Sequence, residues 1–218
     1  MRPGEPLILW DWTFNHIPDI VMRVREHLVL TAIALGVGFV LAFLLSLAIR
    51  ELPFLYSPIT WVAGVLYTIP SLALFAMLIP FTGLSILTAE IGLVGYTLLI
   101  LVRNIVGGLR GVPPEVREAA IGMGYSRSQM LWRIELPLAT AVIIAGVRVA
   151  LVTTIGLVTV SGVIGQGGLG AFIVQGIQQF FATPLLIGAV GSIVLAVLLD
   201  GILVLVQRLV TPWTRQRG

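Results

Sequence analysis

Few residues in this chain of 218 are equipped for covalent chemistry, and those present are badly spaced for it. His16 and His27 lie eleven apart, not the i, i+4 spacing that puts two metal ligands on one helix face. There is no cysteine, which excludes disulfides, thiolate metal sites, iron–sulfur clusters and a thiol nucleophile. All 13 basic residues are arginine, so a phosphate-loop lysine, a Schiff base and a lysine general base are excluded too. Gly165, Gly167 and Gly170 in the run GQGGLG reproduce the spacing of a dinucleotide-binding turn. The acidic partner expected about 20 residues later is missing, since Asp200 stands 30 beyond Gly170. What remains is a pair of opposite charges, Arg148 and Asp200, inside long apolar runs. Ionisable groups there are rare and face either a partner or a cavity. Mutual pairing and lining of a path are both open to them, and no metal or cofactor is expected on this chain.

The elements that must hold these groups follow from composition. With 58% hydrophobic and 11% charged residues, against about 25% charged in soluble domains, the chain reads as an integral membrane protein. A net charge of +3, with arginines scattered between apolar runs, gives no basic stripe for nucleic acid. A helix needs about 20 apolar residues to cross the hydrocarbon core. Leu28 to Ile49 is an uncharged run of 22 and forms the first predicted span. The second is placed at Ser57 to Ile79 in a proline-bearing run. The third is placed at Ile86 to Val106, with Glu90 and Arg103 near its ends reaching toward lipid headgroups. Val149 to Leu199 holds 51 uncharged residues, too many for one crossing. Gly165–Gly170 and the pair Thr183 and Pro184 divide it into span four, Leu138 to Val160, and span five, Leu185 to Val206.

The expectation is an all-α polytopic fold of about five spans. An interfacial segment covers 1–27, where Trp10, Trp12 and Phe14 anchor in the lipid headgroups. A membrane domain covers 28–207 and a tail 208–218. Glu5, Asp11, Asp19 and Glu26 interrupt any short apolar core, so no cleavable signal is expected. If the loop after span three is cytoplasmic, that side carries nine arginines against Arg2, Arg23 and Arg25 on the other, which places the N-terminus outside and the C-terminus in the cytoplasm. Non-helical backbone at membrane depth must be buried in protein or line a water cavity. Gly165, Gln166, Gly167, Gly168 and Gly170 are therefore a candidate extracellular gate.

The loop over 110–137 carries the most information. Pro113 and Pro114 suit a first helical turn, and Glu115 and Glu118 favour its positive end. Val116, Ala119, Ala120 and Met123 form one apolar stripe, and Gly122 and Gly124 end the helix. Ser126 with Gln129 makes a capping box for a second short helix, whose Met130, Leu131 and Ile134 share a face before Pro137 stops it. Helices this short are marginal in water, so they need the protein's own helix ends or a soluble partner to pack against.

Glu118, Ala119 and Ala120, then Gly124, then Ile134, Leu136 and Pro137 fit the pattern EAA, three residues, G, nine residues, I, any residue, LP at every fixed position. Here the chain resembles the permease subunits of ABC importers, over roughly Leu28 to Val206. The resemblance implies a type I importer permease fold in which this coupling loop sits in a groove of a separate ATPase subunit that carries ATP and Mg. By the same resemblance Glu118 would make the polar contact, Ala119 and Ala120 would permit close approach, and Gly124 would make the turn. It also implies a second permease subunit, identical or paralogous, and an extracytoplasmic substrate-binding protein.

Tyr67 to Leu74 (YTIPSLAL) and Ile164 to Gly170 (IGQGGLG) look like the permeases for glycine betaine, choline, carnitine or proline, with Gln166 in place of the small residue common there. A permease for methionine or another small polar solute is the near alternative, and a non-transport membrane scaffold the remote one. Quaternary ammonium groups are held by aromatic faces. Trp61, Tyr67, Phe75 and Tyr96, with Pro70 and Ser71, are thus candidate path residues beside Arg148 and Asp200; ordinary packing is the other reading of the aromatics.

Overall fold

In hydrocarbon the backbone has no water to bond, so apolar runs must satisfy their amides internally. The chain does so with helices: the computed structural model describes residues 6–212, and no strand occurs among them. Arg2, Arg215 and Arg217, which entered the arginine count, lie outside the described residues, as does the tail beyond 212. A short α1 (Trp10–Asn15) leads into α2 (Ile17–Glu51). A 3-10 turn, Pro53–Leu55, then leads to α3 (Tyr56–Thr68) and α4 (Ser71–Thr82). The long α5 (Ile86–Arg110) is followed by α6 (Pro114–Gly122) and α7 (Arg127–Met130), which are the loop helices. After them come α8 (Leu136–Ser161), a short α9 (Gly170–Gln178) and α10 (Ala182–Val210).

Four of these helices are long and apolar enough to cross a membrane, and the bent pair Pro53–Thr68 with Ser71–Thr82 brings the number to five. The expected spans four and five agree with α8 and α10 to within a few residues. Three expectations are corrected. The first span is longer than predicted: α2 starts at Ile17, with Pro18 in its first turn, and its 35 residues extend about 52 Å, well past a core of roughly 30 Å. Charged residues from Asp19 to Glu26 do not stop a helix that has already left the hydrocarbon. The second span is not one rod over Ser57 to Ile79. Pro70 has no amide hydrogen to continue α3, and α4 restarts at Ser71 at an angle of 99°. Glu90 does not reach the headgroups. It is only 8% exposed, because it lies seven residues before Thr97 on the face of α5 that meets α2, and neither carboxylate oxygen has a partner among the described residues.

α5 is the central post, packed along α2, α3, α4 and α8. Its closest neighbours approach through small residues. Ala34, Gly38, Ala42 and Ser46 are buried as a stripe on α2, and a Cβ built on Gly38 would stand 2.0 Å from Thr97 Oγ1. On the other side Gly108 meets Ala139 of α8, and Gly146 of α8 meets Asn104. Lipid tails are as apolar as leucine, so helices in a membrane associate through such close backbone approach. α10 is the opposite case, with Val190, Ile193, Val197, Leu198, Leu205 and Leu209 all more than half exposed.

α1 is tied down as well as anchored. Trp10 and Phe14 are exposed as expected of an interfacial segment, whereas the Trp12 ring stacks on His16 at 4.0 Å and meets Phe172 and Phe181 edge-on. The Leu9 amide donates to Thr183 Oγ1 at 3.0 Å, joining the N-terminal segment to the start of α10.

Gly38→Ala should lower stability by about 1–3 kcal/mol through overpacking, read as a fall in Tm in detergent. Adding Thr97→Ala should recover most of it. A double variant no more stable than Gly38→Ala alone would place the limiting contact elsewhere.

Candidate functional site

The loop helices lie outside the spans as a built unit. Pro113 and Pro114 start α6, and its end is a Schellman closure: the Gly124 amide donates to Ile121 O at 2.9 Å and the Tyr125 amide to Ala120 O at 3.1 Å. That closure requires the left-handed φ of +80° at Gly124, which glycine adopts without strain. Ser126 and Gln129 form the expected capping box, with bonds of 3.3 Å and 2.9 Å. The chain then departs from expectation, because Pro137 does not stop the helix. A π-helical turn over Leu131–Glu135 absorbs the proline, and helix runs from Arg127 to Ile164 without a break. Ile134, Leu136 and Pro137 thus lie where the loop becomes span four.

The apolar stripe of α6 also faces differently from the sequence reading. Of Val116, Ala119, Ala120 and Met123 only Ala120 is buried, while Val116, Ala119, Met123 and Glu118 are exposed together with Ile121. The reason is Arg117. Its guanidinium donates to Leu109 O at the end of α5 at 2.6 Å and lies 3.2 Å from Glu135 Oε1, turning its own side of the helix inward and the motif residues outward. Glu135 is 5% exposed and also accepts from Arg50 Nε at 2.7 Å. Arg50 in turn bonds Glu51 at 2.6 Å and the Arg127 carbonyl at 3.3 Å. Sequence reasoning missed this cluster: the partners stand 85 positions apart, and the only signal was a carboxylate inside an otherwise apolar ILP turn.

Deeper in the bundle, Arg148 and Asp200 are paired. The guanidinium grips both carboxylate oxygens, at 2.7 Å and 2.9 Å. Arg148 also reaches Gln207 Oε1 at 3.4 Å, and Gln207 donates to Ala141 O at 3.3 Å. Gln207 was not singled out from sequence. The cluster fastens α10 to α8, and planar bidentate geometry is what arginine supplies and lysine does not.

The aromatic candidates divide. Tyr67 and Tyr96 come together edge to face at 5.8 Å, and the Tyr96 hydroxyl donates to Ile69 O, the carbonyl left open beside Pro70 and Ser71 where the span bends. Phe75 is fully buried against Gly92, a packing role, and Trp61 is 69% exposed away from the pair. No four-sided aromatic cage is assembled among them.

The glycine segment folds as a tight knot rather than a loose loop. Ser161 Oγ donates to Gln166 O at 2.7 Å, and the Gln166 amide donates back to Ser161 O at 3.1 Å. A Cβ on Gly167 would meet Gly162 N at 2.0 Å, one on Gly170 would meet Thr159 O at 2.1 Å, and one on Gly168, at φ +42°, would meet the α2 backbone at His27. Gly165 takes φ +79° at the start of the turn. Beside the knot lies a cavity of about 360 Å³ bounded by Arg23, Arg25, Glu26, Ile86 and Gln166. The segment after it, which the sequence left irregular, is the helix α9.

Comparison with known proteins bears on the fold and the family. The family of binding-protein-dependent transport system inner membrane components matches residues 34–212. The osmoprotectant import permease protein OsmW of Salmonella typhimurium is 37% identical over 86% of this chain and 89% of its own. The glycine betaine/carnitine/choline transport system permease protein OpuCB of Bacillus subtilis is 31% identical over 89% of each. Among solved structures, an inward-facing MetNI methionine ABC transporter chain superposes with a TM-score of 0.79 at 21% identity, over 90% of this chain and 98% of that one. At that identity the likeness is one of fold.

Reversing either charge alone, Arg148→Asp or Asp200→Arg, should cut the yield of folded protein extracted from membranes on the order of tenfold, the effect of setting two like charges side by side. The double swap should restore it. A double variant as poor as the singles would mean that the bond does not hold α8 to α10.

Proposed function

The chain belongs to the family of binding-protein-dependent transport system inner membrane components, and we propose that it is the permease subunit of an ATP-driven importer of osmoprotectants, such as glycine betaine, choline, carnitine or proline. The observation that carries this reading is α6: an outward face of Glu118, Ala119 and Met123 on a helix closed at its C-terminal end and tied by Arg117 to spans three and four and, through Glu135 and Arg50, to span one. A nine-residue helix showing apolar side chains outside the bilayer needs a partner surface. An ATPase subunit is that partner. This chain has no lysine for a phosphate loop, so ATP and Mg belong to the ATPase and this subunit performs no chemistry on the solute.

Two permease subunits, identical or paralogous, form the path, with two ATPases on the cytoplasmic side and a substrate-binding protein outside. The exposed surface of α10 is available for lipid and for the second permease. ATP-driven closure of the ATPases would carry α6 and α7 with it and switch the path from inward to outward access. The solute class rests on the names of the relatives and on the YTIPSLAL and IGQGGLG runs. Tyr67, exposed beside the buried Tyr96, offers a ring face to a quaternary ammonium, enough for weak passage. The arginine bias places the N-terminus outside.

Purification of the tagged chain from its native membrane in mild detergent should bring down an ATPase, and Glu118→Arg should stay in the membrane while losing about thirtyfold in ATPase affinity, as for a removed interfacial charge contact. Recovery of the parent chain without any ATPase would reopen the scaffold reading. For orientation, a single cysteine in place of exposed Leu84 should react with an impermeant thiol reagent in intact cells and one at Ser128 only after lysis; the reverse pattern would invert the topology.

A further inference from the structure

α6 is held weakly by everything except one arginine. It is nine residues long, buries only Ala120, and is flanked by Gly111 on one side and by Gly124 with its left-handed φ on the other. The side-chain link from α6 to the span ends is Arg117, whose two contacts are Leu109 O at the end of α5 and Glu135 at the root of α8. Glu135 hands the link on: Arg50, in the last turn of α2, holds its other oxygen at 2.7 Å. One carboxylate at the root of α8, with a side chain only 7% exposed, thus joins the end of α2 to α6, while Arg117 adds the end of α5.

We infer that Glu135 is the positioning residue of the transport cycle, tying the coupling helix through Arg117 and Arg50 to spans one, three and four so that they move as one body. Two arginines on one buried carboxylate suit this role. Each arginine meets a different oxygen of Glu135, Arg50 Nε on Oε2 and Arg117 Nε on Oε1, and the low dielectric strengthens both contacts. The π turn that carries Glu135 matters too, because it sets the side chain's direction at the point where the loop enters the membrane. The inference rests on α6 being the ATPase-docking helix.

The test uses the whole transporter, with its ATPase and binding protein, in lipid vesicles, reading glycine betaine taken up per ATP hydrolysed. Glu135→Gln and Arg117→Met should each keep the complex intact and still hydrolyse ATP, while uptake per ATP falls roughly threefold to thirtyfold. Glu135→Asp, which keeps the charge on a shorter arm, should recover part of the loss. Spin labels on cysteines placed at exposed Leu52 and Glu115 should give one narrow distance in the parent and a broad one in Glu135→Gln, a change that reduced stability alone does not produce. Unchanged uptake per ATP in Arg117→Met overturns the inference, as does loss of the complex in both variants, which would make the cluster a folding element. If the unaltered chain recruits no ATPase, it is the importer reading that fails.

Discussion

A backbone carbonyl in hydrocarbon must find a donor inside the protein. Each departure from straight helix in this chain is therefore a place where a neighbour, or the segment itself, supplies one. The bend after Ile69 exists because Tyr96 of α5 bonds its carbonyl. The glycine knot exists because Ser161 and Gln166 close on each other and because glycines let the strands of the knot touch. At Leu131–Glu135 the helix widens to a π turn and so takes in Pro137 without ending. These breaks are distributed along the depth of the bundle, one at the loop end of span four, one within span two and one beyond the far end of span four. Rigid spans joined by satisfied breaks are a body able to rock without exposing polar backbone to lipid.

The same constraint explains the hierarchy of packing. Spans one, three and four meet through Gly38, Thr97, Gly108, Ala139, Asn104 and Gly146, where one added methyl group would force the helices apart. The periphery is attached differently. α10 has little close packing along most of its length, and three fastenings hold it: the hairpin with α9, where Gly176 meets Leu185, the Leu9–Thr183 hydrogen bond at its start, and the Arg148–Asp200–Gln207 cluster. A polar clamp in an apolar setting is directional and has few substitutes. It fixes how α10 sits on α8 while leaving the outer face of α10 free for lipid or a second subunit.

At the loop end of the bundle the arrangement inverts, with charge buried and apolar residues shown. Glu135 and its two arginines lie under the loop, and Val116, Ile121 and Met123 lie on top of it. Such an inversion is costly for a lone subunit and reasonable for one component of an assembly, since the exposed apolar face is covered only when the partner is present. The family the chain belongs to is described as the inner membrane component of binding-protein-dependent transport systems.

The sequence by itself determined the features that depend on local pattern. Uncharged runs of about 20 residues located the spans, because bilayer thickness sets that length. Ser126 with Gln129 and the Gly124 turn were legible because capping and positive φ are local physics. The depth of Arg148 and of Asp200, counted along the chain, allowed their pairing. What only the tertiary structure decided are contacts whose partners are far apart or whose face was ambiguous. Nothing local says that Glu135 meets Arg50, that Glu90 turns toward α2, or that Phe75 packs on Gly92 while Tyr67 finds Tyr96. The stripe on α6 was read from its period, but period does not say which side faces inward; Arg117 decided that by reaching for Leu109 and Glu135. Pro137 read as a stop because proline breaks an isolated helix, whereas the π turn over Leu131–Glu135 takes it into a continuous helix.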